Sequence, residues 1–235
     1  MPVKKLLSFA ENEVGYLEKR NENYLYDKTA NSGSANYTKY GYEMRKIYPA
    51  TIDYPAAWCD CFVDWCFVQA FGKENAEKLL HRFDDYTVNS ARYYKEKGEW
   101  HKSPNVGDQI FFTNSNGGIC HTGLVYKVDN YYVYTIEGNT SSASGVVANG
   151  GAVAKKKYAL SYSRIAGYGR PNYNIVKEKI MLETGNDIVW ELMNGKNKIE
   201  IGEVKRAIEA LDKAKNNSEF NSLYWIIYKI VNKDR

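Results

Sequence analysis

The chain has 235 residues, of which 44% are apolar and 26% charged, with 32 Lys+Arg against 28 Asp+Glu for a net charge of +4. This composition excludes a disordered chain, and four Cys in such a length exclude a disulfide-stapled scaffold. The mild basicity, with no dense Lys/Arg block, argues against a dedicated nucleic-acid binder.

Tyrosine stands out, with 21 residues against 8 Phe and 5 Trp. Phenol rings offer flat apolar area plus a hydroxyl, which suits cores and the recognition of sugars or peptides. No run approaches 18 apolar residues, so no transmembrane helix and no stable membrane insertion are expected. The charged start, Met1 to Leu7, is followed by Glu11, Glu13 and Glu18 where a signal peptide would carry its apolar core. The expectation is a protein made without a signal peptide and kept at first in a reducing cytoplasm.

Val3, Leu6, Leu7, Ala10, Val14 and Leu17 recur at helical spacing and predict a first helix over 3–17. Residues 20–42, rich in Asn, Gly, Ser and Tyr, read as a long loop. A second helix is expected from Trp58 to Phe71, stopped by Gly72, and a third over 75–97, closed by Gly98. Residues 109–113, 121–128 and 131–136 then read as antiparallel strands, separated by the turn compositions 114–118 and 129–130. A Gly/Ser-rich loop over 138–151 leads to a weaker strand pair near 152–158 and 164–170. Helices followed by an antiparallel meander predict an α+β domain over 1–172.

Beyond Pro171 the pattern is helical, with segments near 186–193, 202–211 and 218–231. They predict a small three-helix domain over 180–235. Leu223 to Tyr228 is apolar nearly all round, more than so small a bundle can hide, which points to a partner, a ligand or self-association. Met181, near the start of this unit, is a candidate internal translation start.

The chemistry is narrowed by what is missing. There is no His-Glu-x-x-His, no Gly-x-Ser-x-Gly, no phosphate loop and no dinucleotide glycine motif. Cysteine with histidine remains. Cys59 opens the second predicted helix, where unpaired backbone N–H groups and the positive dipole end favour thiolate. A thiolate that attacks an amide needs an imidazole to protonate the leaving amine. His121, on a strand after a glycine turn, fits that need. The imidazole in turn needs an acceptor, and Glu137 or Asn139 lies on the next strand, about 5 Å away if the register is right. Cys61, Cys66 and Cys120 read as core residues, His81 as a packing or surface residue, and His101 has no evident partner.

These elements in order resemble one family. Trp58-Cys59-Asp60-Cys61-Phe62-Val63 resembles the nucleophile helix of the CHAP domains, the cysteine- and histidine-dependent amidohydrolases and peptidases, with Cys59 at the nucleophile position. Gly107-Asp108, His121-Thr122-Gly123, Glu137-Gly138-Asn139-Thr140 and Ala166 to Pro171 resemble the segments that follow in that family. The likeness spans roughly residues 3–171.

It implies a papain-like fold and cleavage of an amide bond in the peptide part of bacterial peptidoglycan. The two candidate activities are N-acetylmuramoyl-L-alanine amidase and endopeptidase. Carried over by position, Cys59 attacks, His121 moves the proton, and Glu137 or Asn139, or both, hold the ring. The Cys59 N–H would be one oxyanion donor and Tyr54 a candidate for the other. Many relatives are bacteriophage lytic enzymes with a separate wall-binding module. That implies a protein held in the host bacterial cytoplasm until a holin opens the membrane, with peptidoglycan as its partner and the 180–235 unit resembling such a module.

No cofactor is expected. Some relatives bind calcium, but Glu22, Asp27 and Asn31 lack the required spacing. A zinc site from Cys59, Cys61, Cys66, Cys120 and His121 is disfavoured, since Cys59 and Cys66 lie about 10 Å apart along a helix. The alternative function is a catalytically inactive wall-binding protein.

Overall fold

The computed structural model describes residues 2–176. The chain divides into two units, Met1–Ile175 and Val176–Arg235, the first of which holds the elements below. The expected helices at 186–193, 202–211 and 218–231, the domain placed at 180–235 and Met181 lie outside the described residues.

Five helices precede or flank a six-stranded sheet. They are α1 (Pro2–Glu13), α2 (Lys39–Ile47), α3 (Cys59–Phe71), α4 (Lys73–Leu80) and α5 (Thr87–Glu96). The strands are β1 (Trp100–His101), β2 (Gln109–Thr113), β3 (Ile119–Val128), β4 (Tyr132–Thr140), β5 (Ala152–Ala159) and β6 (Ile165–Gly169). Every pairing is antiparallel, in the order β1-β6-β2-β3-β4-β5. The described unit is α+β, compatible with the CHAP fold. No helix among the described residues is long and apolar enough to cross a membrane.

The centre of the domain is α3. Its sequence, CDCFVDWCFVQAF, is apolar on nearly every side, and a helix of that kind is stable only when surrounded. It packs against α1, α2 and α4, and against β3 and β4. An aromatic group seals its first turn: Trp58 stacks on Tyr40 at 5.4 Å, and Tyr40 meets Phe62 and Trp65 edge-on. The polar tips of these rings are bonded, Trp58 Nε1 to Glu18 (2.9 Å) and the Tyr40 hydroxyl to Glu13 (2.7 Å). Burying each such ring stabilises the fold by about 2–3 kcal/mol.

A second cluster lies within the sheet, with Ile110, Phe112, Val125, Val133, Tyr158 and Tyr168 buried together. The two ends of the domain's sequence motif also meet. Arg170, after β6, donates two hydrogen bonds to Asp108, just before β2, at 3.0 and 2.9 Å. Asp108 is almost fully buried, so the Gly-Asp and Gly-Arg-Pro segments serve as a clasp across the sheet.

The structure corrects several boundaries. The first helix stops at Glu13 because Gly15 turns the chain with φ +90°, and Leu17 instead bridges to Ala152. The loop assigned to 20–42 ends early, since Thr38 caps α2 by accepting a bond from the Gly41 N–H. The single helix expected over 75–97 is two, broken at His81, which is left-handed (φ +69°) and bonded through its ring to Glu99. The strands at 152–158 and 164–170 do not pair with each other. β5 adds to β4 at the sheet edge, whereas β6 inserts between β1 and β2.

Candidate active site

Cys59 is the first residue of α3 and is 4% exposed. Trp58 precedes it without a side-chain cap, and the first intrahelical bond runs from the Phe62 N–H to the Trp58 carbonyl (2.9 Å). The N–H groups of Cys59, Asp60 and Cys61 are therefore the helix's unpaired donors, with the dipole's positive end beneath the sulfur.

Two glycines bring the sheet to this helix end. A Cβ on Gly138 would come within 2.6 Å of Phe62 Cβ and 2.8 Å of the Trp58 ring, so only glycine lets β4 lie this close to the first turn of α3. A Cβ on Gly123 would come within 2.5 Å of Glu137 Cγ, so the bare backbone of β3 leaves room for the Glu137 side chain.

His121 is fully buried on β3, directly opposite Phe112 of β2, whose ring lies nearly parallel to it at 6.0 Å. Its Nε2–H donates to Glu137 Oε2 at 2.9 Å. That bond commits Nε2 and leaves Nδ1, which has no hydrogen-bond partner of good geometry. Cys59 is the ring's other polar neighbour. Burial alone would lower the basicity of this imidazole. The neighbouring Cys59 sulfur and the Glu137 carboxylate outweigh it, and the pKa is pushed up to about 10. The ring is thus an imidazolium at neutral pH, flanked by a sulfur and a carboxylate.

Glu137 is held on every side. Thr135 Oγ1 donates to Oε1 at 2.5 Å, and the Tyr158 hydroxyl donates to Oε2 at 3.2 Å. Burial and the adjacent carboxylate raise the Tyr158 phenol, which stays a neutral donor. Asn139 is different. Its backbone has φ +54°, its carbonyl accepts from the Gly150 N–H (3.0 Å), and both atoms of its buried amide are unpartnered. Of the two acceptors the sequence offers, Glu137 bonds the ring and Asn139 does not.

The Tyr54 hydroxyl is buried and unpaired, with its ring against Tyr37 and Tyr42 at 5.7 Å each; no hydrogen bond joins it to Cys59 or His121. Cys61 and Cys66 are buried thiols pushed well up by that burial, while Cys120 is half-buried. His81 is engaged by Glu99 at 2.8 Å, and His101 lies in edge strand β1. Among the described residues no group of three or more His, Cys, Asp or Glu is arranged to hold a metal ion.

Asp60, beside the nucleophile position, accepts from Ser90 Oγ (2.6 Å) and Gln109 Nε2 (2.9 Å), and Gln109 also meets Thr122 Oγ1 (3.1 Å). This chain ties α3, α5, β2 and β3 together one residue from Cys59 and one from His121. Complete burial pushes the Asp60 carboxyl up to about 7, with the neighbouring Asp84 and Asp85 adding to the shift and the Ser90 and Gln109 bonds opposing it. Thr135 could have been found from its i, i+2 spacing to Glu137 on one strand face. Asp60 had no such signal, because its partners are 30 and 49 residues away.

Residues 50–139 match the family model described as CHAP domain, a stretch that includes Cys59, His121, Glu137 and Asn139. The match supports a CHAP-domain protein. CHAP domains are generally cysteine- and histidine-dependent amidohydrolases, and the match suggests peptidoglycan amidase or peptidase activity in general. No curated protein and no solved structure matches the chain.

Proposed function

We propose that this CHAP domain hydrolyses an amide bond in the peptide part of bacterial peptidoglycan, as an N-acetylmuramoyl-L-alanine amidase or an endopeptidase. The enzyme would be of the kind bacteriophages use as endolysins, waiting in the host cytoplasm for release to the wall. The observation that carries the reading is the buried His121, bonded through Nε2 to Glu137, with Cys59 at a helix N-terminus beside it.

The chemistry follows from those groups. The Cys59 thiolate attacks the scissile carbonyl carbon and forms a C–S bond, while the carbonyl electron pair moves to oxygen. The Cys59 N–H at the helix start donates to that oxyanion. His121 gives its Nδ1 proton to the amine nitrogen as the C–N bond breaks, leaving a thioester. Water, deprotonated by the now neutral His121, then displaces the sulfur and releases a carboxylate. Glu137 keeps the ring oriented and stabilises its charge throughout.

Cys59→Ala tests this directly. The variant should keep its circular dichroism spectrum and lose all clearing of Gram-positive cell walls. Mass analysis of wall fragments released by the parent identifies the bond: a new amino terminus on alanine with intact glycans indicates amidase action. Full lysis by Cys59→Ala would refute the reading.

One observation favours the alternative of an inactive wall-binding protein. His121 is fully buried and Cys59 is 4% exposed, which leaves little of the pair for a substrate to reach. Site-resolved alkylation separates the two readings. Rapid modification of Cys59 by low iodoacetamide supports the enzyme, and an inert Cys59 supports the binding protein.

A further inference from the structure

Two side chains around Glu137 have no part in the chemistry above. Lys156 and Tyr158 alternate on β5 and point to the same interior face. Lys156 is 7% exposed, which is expensive for an ammonium without compensation. Its Nζ donates to the carbonyls of Ser141 (2.9 Å) and Ala143; Lys156 pairs with Thr135, two residues from Glu137 on the same strand face, and burial pushes its ammonium down while the Glu137 carboxylate opposes that. Tyr158 lies between Phe112 (4.7 Å) and Tyr162 (5.3 Å), and its hydroxyl reaches both Glu137 Oε2 (3.2 Å) and the Gly145 carbonyl (3.4 Å).

Counting charge gives these residues a purpose. A reactive array of thiolate, imidazolium and carboxylate carries one net negative charge among buried side chains. Left uncompensated, that charge is relieved by taking up a proton, on the sulfur or on Glu137, and either event ends catalysis. The Lys156 ammonium brings the enclosed sum to zero. Its two carbonyl partners belong to the segment that Tyr158 also touches, so alternate carbonyls of 141–145 hold the ammonium and the phenol in place. Tyr158, by donating to the oxygen that accepts from His121, fixes the direction of that acceptor.

We propose that Lys156 and Tyr158 are positioning residues of the catalytic array, Lys156 as its buried counter-charge and Tyr158 as the donor that aims Glu137 at His121. The inference rests on the enzymatic reading above. The charged and titratable groups around Glu137 are His121 from β3 and Lys156 and Tyr158 from β5; Cys59 from α3 neighbours His121, and Arg164, before β6, is felt by Tyr158.

Removing a positive charge from a low-dielectric enclosure makes every proton in it harder to lose. Lys156→Met should therefore move the pH dependence of Cys59 alkylation, followed by peptide mass mapping, about half to one pH unit upward. Lys156→Arg should restore the parent profile. In the wall-hydrolysis assay Tyr158→Phe should lower kcat about tenfold and leave KM unchanged, as for one lost bond to a charged group.

The possible failures are distinct. If Cys59 of the parent resists alkylation at every pH, the enzymatic reading falls, and this inference with it. If the parent reacts and the folded Lys156→Met profile superimposes on it, or Tyr158→Phe matches the parent in kcat, the enzymatic reading stands and the positioning role is wrong. Should Lys156→Met lose its fold, Lys156→Gln carries the same comparison.

Discussion

His121 and Glu137 share a hydrogen bond of 2.9 Å with neither side chain exposed to solvent. Burial makes that bond count twice. It fixes which ring nitrogen is committed, and it stabilises a positive charge that burial alone would expel. Glu137→Gln keeps the shape and removes the charge, so it should lower kcat by roughly 10²–10³-fold while the fold survives. Steady-state hydrolysis of purified wall peptides, with thermal melts as control, checks it.

Asn139 should matter less to ring orientation. Its amide makes no bond to His121, and its carbonyl keeps the Gly150 contact whatever the side chain. On that basis Asn139→Ala should cost about tenfold or less, clearly below Glu137→Gln in the same assay. A loss equal to that of Glu137→Gln would mean that the amide engages the reacting groups once substrate is bound.

Alkaline pH should uncouple the pair. With a pKa near 10 against 6.5 for a free imidazole, His121 binds its proton more tightly folded than unfolded. The resulting stabilisation is fully present below about 6.5 and is lost as pH rises through about 10. Melting temperature should fall between about pH 6.5 and 10 in the parent, the window set by the free and folded values, and fall less steeply in His121→Phe.

Asp60 titrates in the opposite sense to an ordinary paired carboxylate. Its folded pKa of about 7 lies above the unfolded value near 3.8, so its protonated form is favoured by folding. Its contribution is complete at acid pH and is lost as pH rises through 7. Asp60→Asn should flatten the decline of melting temperature across that range, measured by calorimetry.

Gly138→Ala tests the contact between helix and sheet. The added methyl meets Phe62 and Trp58 at under 3 Å, a clash that costs about 1–3 kcal/mol by overpacking. The variant should melt several degrees lower and lose activity beyond that cost, because β4 carries Glu137 away from the start of α3. An active variant with unchanged melting would show that the approach is looser than described.

Much of the first domain was legible because local signals and tertiary demands agree. Trp58 to Phe71 keeps helical spacing and ends at Gly72, so it reads as a helix and is one, although only the fold shows that it is buried on nearly every side. The strands at 109–113 and 121–128 carry β-branched and aromatic residues between turn compositions, and they pair as read. The reading failed where a distant contact overrides a local pattern. The 75–97 segment keeps helical spacing through His81 to Tyr86, but His81 turns left-handed and ends α4, with its ring bonded to Glu99 beyond the next helix. Strands β5 and β6, neighbours in sequence, separate because β6 fills the gap between β1 and β2 and is clasped there by Asp108 and Arg170.

By itself the sequence determined the inventory: a cysteine opening an apolar helix, a histidine on one strand, and two acceptors on the next. Residue types and periodicities are local properties, and they name candidates without choosing among them. The choice of Glu137 over Asn139 as the partner of His121 was made by the folded chain, since it depends on side-chain directions set by Gly123, Gly138 and the φ +54° backbone at Asn139. The buried company of that carboxylate (Thr135, Lys156 and Tyr158) was likewise decided only in three dimensions, because charge and hydrogen bonding act through space at a few ångströms, whatever the separation along the chain.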